Sequence, residues 1–300
     1  MRRARLDDVV PWVATLTFLP VGVVLAIDIG GTKLDVGIVD DAGRILRRER
    51  AATDKAEPWP VLAALIDQVL QGESVAAVGV GCGGPMAPYG ETVSPLNIEG
   101  WRAFPLRAQL AAHVGCAVFI DNDAKALAVG EGMFGAARGV DDFIAMVVST
   151  GVGGGIVVDG RLLDGDTGNA GHIGHVIVEP DGALCPCGAR GCLEAETSGL
   201  SIEKRTGVPA SQADATTIER TGTLVGRGIA SVVNLLDIRL ALVGGSVALG
   251  MGDAFFDAAQ RELDARCRIS FARGARVAPV GLGTDGPLIG AAAVAYRALS

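Results

Sequence analysis

The 300-residue sequence has few aromatic residues and very few histidines. Aromatic residues make up 4% of the chain, and histidine occurs only three times. Because histidine is so scarce, any segment that gathers two of them is informative. A membrane-spanning helix needs about eighteen uncharged apolar residues in a row, and no run in the sequence is that long. With 49% hydrophobic and 20% charged residues, the chain is also too apolar to be disordered.

Positive charge is in short supply as well. Lys and Arg number 26 against 34 Asp and Glu, which gives a net charge of −8 and argues against a broad nucleic-acid surface. The three tryptophans are not interleaved with basic residues, so they do not indicate base stacking. We therefore expect a small-molecule partner, with no nucleic acid and no membrane.

Glycine, by contrast, is abundant, with 43 residues, and two segments repeat one pattern of strand, glycine-rich turn, strand, turn and strand. The first segment runs from Val23 to Leu46 and turns at Asp28-Ile29-Gly30-Gly31-Thr32-Lys33; the second runs from Phe143 to Leu163 and turns at Ser149–Gly155. Glycine lets backbone N–H groups approach phosphate oxygens. Together with the Gly244-Gly245 pair, the repeat predicts a nucleotide held between two similar domains. A dinucleotide fingerprint is not indicated, because a strand and not a helix follows the second turn.

The remaining pattern alternates between strands and helices, which is typical of an α/β protein. A further strand is predicted over Val75–Val80, and helices are predicted over Pro60–Leu70, about Thr223–Leu235, about Asp253–Arg266 and Pro287–Leu299. The first 22 residues are predicted to be an extension, with a signal peptide as the alternative.

Three of the six cysteines lie within eight residues of one another. With His175, they give the ligand set His175, Cys185, Cys187 and Cys192. Three thiolates and one imidazole form a closed tetrahedral Zn²⁺ site, which is structural and not hydrolytic. His172 is the alternative imidazole ligand, and the histidine that stays free has another role. Three scattered, reduced thiols are typical of a cytoplasmic protein.

Three polar residues, Asp121-Asn122-Asp123, directly follow the predicted strand Ala117–Ile120. Ligands bind at the carboxyl ends of strands in α/β sheets. Asp and Asn also cap helices, and Ala124–Ala128 has a helical pattern. The two roles are compatible if Asp123 is a general base and one of its neighbours is the cap.

Together, these segments resemble the ROK family of sugar kinases and related repressors over residues 23 to 298. The resemblance is carried by Asp28–Lys33, Asn122-Asp123-Ala124, Ser149–Gly155 and Gly171–His175 with Cys185–Glu194. It implies an actin-like (ribonuclease H-like) fold with two domains around an ATP cleft. The expected domains are 23–120 and 121–286, the second with the zinc loop, and the last helix, 287–300, packs back on the first.

The resemblance also implies a role for each site residue. Asp123 accepts the proton of the sugar's 6-hydroxyl while that oxygen attacks the γ-phosphate. The expected sugar ligands are Gly84, Asn97, Asn122, His172, His175 and Glu194. The residues expected around ATP and Mg²⁺ are Asp28, Gly30, Gly31, Thr32, Lys33, Thr150, Gly151, Gly244 and Gly245. His175 is expected to hold the structural Zn²⁺ and to face the sugar as well. A homodimer or homotetramer is expected.

The chain departs from the family's glucokinases at position 172, where it has His in place of Glu, as the N-acetylmannosamine kinases do. A neutral His donates and accepts hydrogen bonds, so the preferred sugar is glucose or N-acetylmannosamine, unless His172 replaces Glu without consequence. Lys125 stands where the family has a small or amide residue; it is either an exposed helix residue or a neighbour of the phosphates. ATP and polyphosphate both stay open as donors. The competing functions are a sugar-responsive repressor core, although the 22 residues before Val23 are few for a DNA-binding domain, and an inactive scaffold held by zinc.

Overall fold

The structure, a computed structural model, describes residues 22–300. Of the predicted extension, residues 1–21 lie outside the described part. Within it, the chain forms two five-stranded mixed sheets with helices packed on their faces. The predicted α/β fold class is confirmed. No helix in residues 22–300 is both long and apolar enough to cross a membrane.

The first sheet has the strand order β3-β2-β1-β4-β5. Its strands are β1 (Val24–Ile29), β2 (Lys33–Val39), β3 (Ile45–Ala52), β4 (Val78–Cys82) and β5 (Val118–Asn122). The first three strands pair antiparallel, and β4 and β5 run parallel to β1. Side chains alternate across β1: Leu25, Ile27 and Ile29 join a core with α1 (Pro58–Leu70) and α2 (Leu106–Val114).

The second sheet repeats this arrangement, with the strand order β10-β9-β6-β7-β8. Its strands are β6 (Phe143–Val148), β7 (Val152–Val158), β8 (Arg161–Leu162), β9 (Leu240–Gly244) and β10 (Arg276–Pro279). Again the first three pair antiparallel and the last two are parallel to the first. The helices of this half are α4 (Leu193–Thr197), α5 (Gly199–Thr206), α6 (Ala215–Leu236) and α7 (Ser246–Arg266).

Two helices, α3 (Asp123–Phe134) and α8 (Gly286–Leu299), pack against each other; α3 contacts strands of both sheets, and α8 contacts the first sheet. They approach closely at Gly130, where a Cβ atom would lie 2.8 Å from the Gly290 Cα. The buried Glu131 carboxylate accepts hydrogen bonds from the N–H groups of Gly281 and Leu282, just before α8. Further along α8, Tyr296 donates a hydrogen bond of 2.9 Å to the carbonyl of Val39 in β2. The last helix therefore packs on the first sheet.

Several predicted elements differ from those observed in their bounds. The strand predicted at Val75–Val80 is observed at Val78–Cys82, and the helix predicted from Thr223 begins at Ala215, where the Asp214 side chain caps it. Helix α7 begins at Ser246 but breaks at Gly252, which has a φ of 63°; the predicted Asp253–Arg266 is the part after this break. The sequence did not predict α2, α4, α5 or β10.

Candidate active site

Parallel pairing brings the carboxyl ends of β1, β4 and β5 to one edge of the first sheet. Asp28 pairs in register with Gly81, and Gly81 with Asp121. The chain therefore leaves β5 into α3 beside the first glycine-rich turn. The Asp123 Cα lies close to Gly81, 3.6 Å from where a Cβ atom would stand on that residue.

Asp123 is the first residue of α3, and Asn122 is the N-cap. The Ala124 N–H is shared between Asn122 Oδ1 at 3.1 Å and Asp123 Oδ1 at 2.8 Å. Asp123 is exposed to solvent, yet the protein around its carboxyl removes part of its hydration. This loss of hydration raises the pKa of Asp123, and the hydrogen bond from Ala124 and the nearby His172 oppose the rise only partly. A raised pKa makes the carboxylate a stronger base.

A small cavity of about 20 Å³ opens beside these residues, between the two halves of the molecule. It is lined by Gly84, Met86, Asn122, Lys125, Gly154, Gly168, Asn169, Ala170 and His172. Three of the six residues predicted to bind sugar, Gly84, Asn122 and His172, therefore line one cavity.

The other three predicted sugar ligands do not line this cavity. Asn97 packs against the first turn, its Cβ 2.5 Å from where a Cβ on Gly31 would stand. Glu194 accepts a hydrogen bond of 2.8 Å from the Val152 N–H, at the second turn. The His172 and His175 rings lie 6.2 Å apart.

The pKa of His172 lies below its ordinary value. Burial lowers the pKa of the imidazole, and His175 and Lys125 lower it further, while Asp123 and Glu194 act in the opposite direction. A neutral imidazole donates from one ring nitrogen and accepts at the other. His172 therefore suits a ligand hydroxyl group better than it suits an anion.

The first turn surrounds a buried carboxylate. Burial raises the pKa of Asp28 to about 7, and the Asp123 and Asp35 carboxylates add to the rise, whereas Lys33 and Arg48 oppose it. The turn itself is closed by a hydrogen bond from the Gly30 N–H to the Lys33 carbonyl. Thr32 and Lys33 are exposed at its tip.

The second turn and the Gly244-Gly245 pair lie together at the corresponding edge of the second sheet. Ser149 Oγ lies 2.9 Å from the Oγ of Ser246, which is the first residue of α7. Gly245 has a φ of 94°, and a Cβ there would lie 2.4 Å from the Val148 carbonyl oxygen, so only glycine fits. Thr150 and Gly151 form the tip of this turn.

The four predicted metal ligands gather in one cluster. The candidate atoms of His175, Cys185, Cys187 and Cys192 all lie within 4.8 Å of one another. Cys187 Sγ is 3.7 Å from Cys192 Sγ, and Cys185 Sγ is 3.8 Å from His175 Nδ1. Zn–S bonds of about 2.3 Å place neighbouring sulfurs about 3.8 Å apart on a regular tetrahedron. The spacing thus fits Zn²⁺, and His175, not His172, is the imidazole in the cluster.

The metal loop is fastened to the helices behind it by a buried carboxylate. Glu196 accepts a hydrogen bond of 2.6 Å from the Ala183 N–H and pairs with Arg220 of α6. Burial raises the pKa of Glu196, but the Ala183 N–H and the Arg220 guanidinium outweigh it and bring that pKa below its usual value. The loop is therefore braced on α6 independently of any metal.

Six of the nine residues that line the cavity were not among the predicted sugar ligands: Met86, Lys125, Gly154, Gly168, Asn169 and Ala170. Lys125 is not an exposed helix residue, since only 4% of its side chain is accessible. The departure of Lys125 from the family pattern was the one available signal. Met86 and Asn169 carry no motif and reach the cavity only through the folding of their loops.

Comparison with known proteins shows the family of this chain. The sequence pattern of the ROK family matches residues 24–298. The chain belongs to the ROK family. It is 40% identical to the glucokinase of Thermotoga maritima over 186 residues, which cover 60% of this chain and 58% of that protein. It is 36% identical to the N-acetylmannosamine kinase of Citrobacter koseri over 250 residues, or 76% of this chain and 84% of that protein.

Among solved structures, a ROK family glucokinase from Streptomyces griseus, in complex with glucose and AMPPNP, superposes with a TM-score of 0.81. The match has 32% identity and covers 92% of this ROK chain and 100% of that one. It confirms the predicted actin-like fold. The alignment with the Thermotoga maritima glucokinase spans less than two thirds of that protein.

Proposed function

We propose that this ROK protein is an ATP-dependent sugar kinase that phosphorylates the 6-hydroxyl group of a hexose or an N-acylhexosamine. The observation that carries the proposal is the position of Asp123. Its carboxyl, whose pKa is raised, adjoins a cavity lined by Gly84, Asn122 and His172 and lies close to the first glycine-rich turn. The relatives named as glucokinase and N-acetylmannosamine kinase support the same reaction class.

In this proposal, Asp123 accepts the proton of the attacking hydroxyl. Phosphoryl transfer asks little covalent help of the protein, so positioning and charge stabilisation dominate. Asn122 and the neutral His172 hold the sugar hydroxyl groups, and Glu194 connects this region to the second turn through the Val152 N–H. Asn97, packed on Gly31, connects the sugar side to the first turn in the same way.

The nucleotide lies between the two turns. Gly30, Gly31, Thr32 and Lys33 on one side, and Thr150, Gly151, Gly244 and Gly245 on the other, surround its phosphates. A bound Mg²⁺ would neutralise phosphate charge, and Asp28 is the buried carboxylate of the first turn that it would meet. Lys33, exposed at the tip, adds positive charge.

Zn²⁺ held by His175, Cys185, Cys187 and Cys192 has a structural role in this proposal. Four protein ligands leave no open coordination position. The ion would fix the loop that carries His175 and leads into α4, where Glu194 lies.

His172 bears on the choice of sugar. The relatives divide between glucokinases and N-acetylmannosamine kinases, and the histidine at 172 resembles the second group. We propose N-acetylmannosamine and glucose as the first substrates to test.

The decisive experiment is ADP release with glucose, N-acetylmannosamine, N-acetylglucosamine, mannose and fructose. One sugar should give turnover well above the background rate. Asp123→Asn should lower kcat by about 10²–10⁴-fold, because it removes a general base. Asp257→Asn, an exposed carboxylate change on α7, is the control and should keep full activity. Absence of turnover with every sugar, or a fully active Asp123→Asn, contradicts the proposal.

The metal assignment has its own test. The purified protein should contain about one Zn²⁺ per chain, and a chelator should lower its melting temperature, because metal binding contributes to folding free energy. Cys187→Ser should lose the ion, whereas Cys267→Ser, a cysteine outside the cluster, should keep it. If the purified protein contains no zinc and the chelator does not change its melting temperature, the metal site is ruled out.

A further inference from the structure

Lys125 is a buried cation on the helix that begins with Asp123. Its side chain is 4% accessible, and its Nζ lies 2.6 Å from Asp164 Oδ1, 3.1 Å from the Gly168 carbonyl oxygen and 3.3 Å from Asp121 Oδ1. An ammonium group has three N–H donors. Asp164 and the Gly168 carbonyl accept two hydrogen bonds from this group, and Asp121 adds an ion pair.

Two of the acceptors belong to one exposed loop, residues 164–171, which connects β8 to His172. The other hydrogen bonds of this loop stay inside it or continue to Ile173: Ala170 N–H to the Asp164 carbonyl, Asn169 to Thr167, and Ile173 N–H to the Gly171 carbonyl. Within residues 22–300, the two bonds from Lys125 are the only hydrogen bonds that join the loop to a distant element.

This loop is also a wall of the cavity. Gly168, Asn169 and Ala170 line it, and His172 follows directly. Because the cavity measures only about 20 Å³, a small displacement of the loop changes a large share of its volume. A shift of about 1 Å in a positioning group is enough to cost activity.

We propose that Lys125 is a positioning residue that tethers loop 164–171 to α3 and thereby sets the affinity for the sugar. The tether joins the wall of the cavity to the same helix that presents Asp123, so the two sides of the site keep a constant separation. The consequence for the sugar depends on the proposed kinase function. The tether itself does not.

Removal of Lys125 should leave the fold intact. Asp121 keeps a second cation, since Arg297 lies 3.2 Å away, and also accepts a hydrogen bond from the Asn122 N–H. The Asp164 side chain is 63% accessible, so water solvates it once the tether is gone. Lys125→Met therefore leaves no isolated buried charge, which is the usual reason that such a change is severe.

The kinetic test compares Lys125→Met, Asp164→Asn and the double variant. Each is expected to raise the KM for sugar by about tenfold, with kcat and the KM for ATP changed by less than about threefold. The double variant should match Lys125→Met, since Asp164 is expected to act only through its contact with Lys125. Added KCl should raise the sugar KM of the wild type more than that of Lys125→Met, because salt screens a partly exposed ion pair.

Two controls separate the tether from general charge effects. Asp166→Asn alters an exposed carboxylate of the same loop and should leave the sugar KM unchanged. Arg297→Met removes the other cation near Asp121 without touching the loop, and should do the same. An unchanged sugar KM in Lys125→Met, or an equal effect of Asp166→Asn, overturns the proposal.

Hydrogen exchange in the full-length protein without ligands tests the tether independently of activity. Amides of residues 164–171 should exchange faster in Lys125→Met, while those of β6 and β9 stay protected. Unchanged exchange in the loop refutes the tether. If exchange is faster but the protein phosphorylates no sugar, the tether is supported. The kinase function and the role of Lys125 in sugar affinity are then both refuted.

Discussion

The two glycine-rich turns occupy equivalent places in two sheets of the same strand order, yet they are built differently. Counted from the last paired residues, Asp28 and Asp35 of the first hairpin correspond to Val147 and Gly153 of the second. The first hairpin therefore places two carboxylates opposite each other, one on each strand. The second has neither charge at these places.

One carboxylate of the first hairpin, Asp35, is paired with arginines of the neighbouring strand β3. Asp35 is 1% accessible and accepts hydrogen bonds from Arg48 at 2.6 and 2.8 Å and from Arg50 at 2.9 Å. Like charges directly opposite each other on a sheet are destabilising. Because the arginines offset the charge of Asp35, the destabilising effect of the two opposed carboxylates falls mainly on Asp28.

The second hairpin uses its glycines for close packing. A Cβ on Gly155 would lie 2.6 Å from the Ala128 Cβ and 2.9 Å from the Lys125 Cα, so glycine lets α3 lie directly on β7. The first hairpin thus supplies charge at the candidate site, whereas the second supplies the surface on which α3 packs.

The largest expected difference between the hairpins is in activity. Asp28→Asn should lower the sugar-dependent rate by about 10²–10³-fold, because in the proposed kinase it removes the carboxylate that would meet the Mg²⁺ bound to the phosphates. Ser149→Ala, in the second turn, should cost less than about tenfold, since it removes a neutral hydroxyl group. Steady-state kinetics at saturating Mg²⁺ measure both. Equal losses would show that the turns share one role.

The second difference is in how stability depends on pH. The pKa of Asp28 is about 7 in the folded protein against 3.8 ordinarily. Below pH 4 the carboxyl is protonated in both folded and unfolded chains; from pH 4 to 7 the unfolded chain ionises first, so the folded state loses stability. Above pH 7 the loss is complete, at most about 4 kcal/mol.

Asp28→Asn should remove this loss of stability, because asparagine does not ionise. Its melting temperature, measured without nucleotide or Mg²⁺, should therefore exceed that of the wild type by more at pH 8 than at pH 5. Val147→Ala, the equivalent place in the second hairpin, should shift the melting temperature by a constant amount across this range. A pH-independent offset for Asp28→Asn would show that Asp28 is ionised throughout.

The smallest difference concerns packing. Gly155→Ala should reduce the free energy of unfolding by about 1–3 kcal/mol, because the new methyl group meets the backbone of α3. Gly250→Ala, an exposed helical glycine with no atom within 4 Å of the new Cβ, should be neutral or slightly stabilising. Urea titration measures both changes. If Gly155→Ala is also neutral, α3 does not depend on close contact with β7.

Local motifs predicted much of the candidate site. Asp123 at the end of a buried strand, the two turns and the cysteine cluster were all found from residue type and spacing. The division into domains at residue 120 and the expected dimer or tetramer stay predictions. Short helices such as Gly199–Thr206 escaped prediction because a single buried side chain, Ile202, gives no periodic pattern.

The sequence by itself determined the family, the chemical character of each turn and the three cysteines of the metal cluster, because these depend on residue types a few positions apart. Tertiary structure alone decided the choice of His175 over His172 in the metal cluster, the high pKa of Asp28 and the tether from Lys125 to Asp164. Each of these depends on groups far apart in the chain that pairing of parallel strands and packing of α3 bring together. Burial and the distance between charges arise from that packing, and no local pattern encodes them.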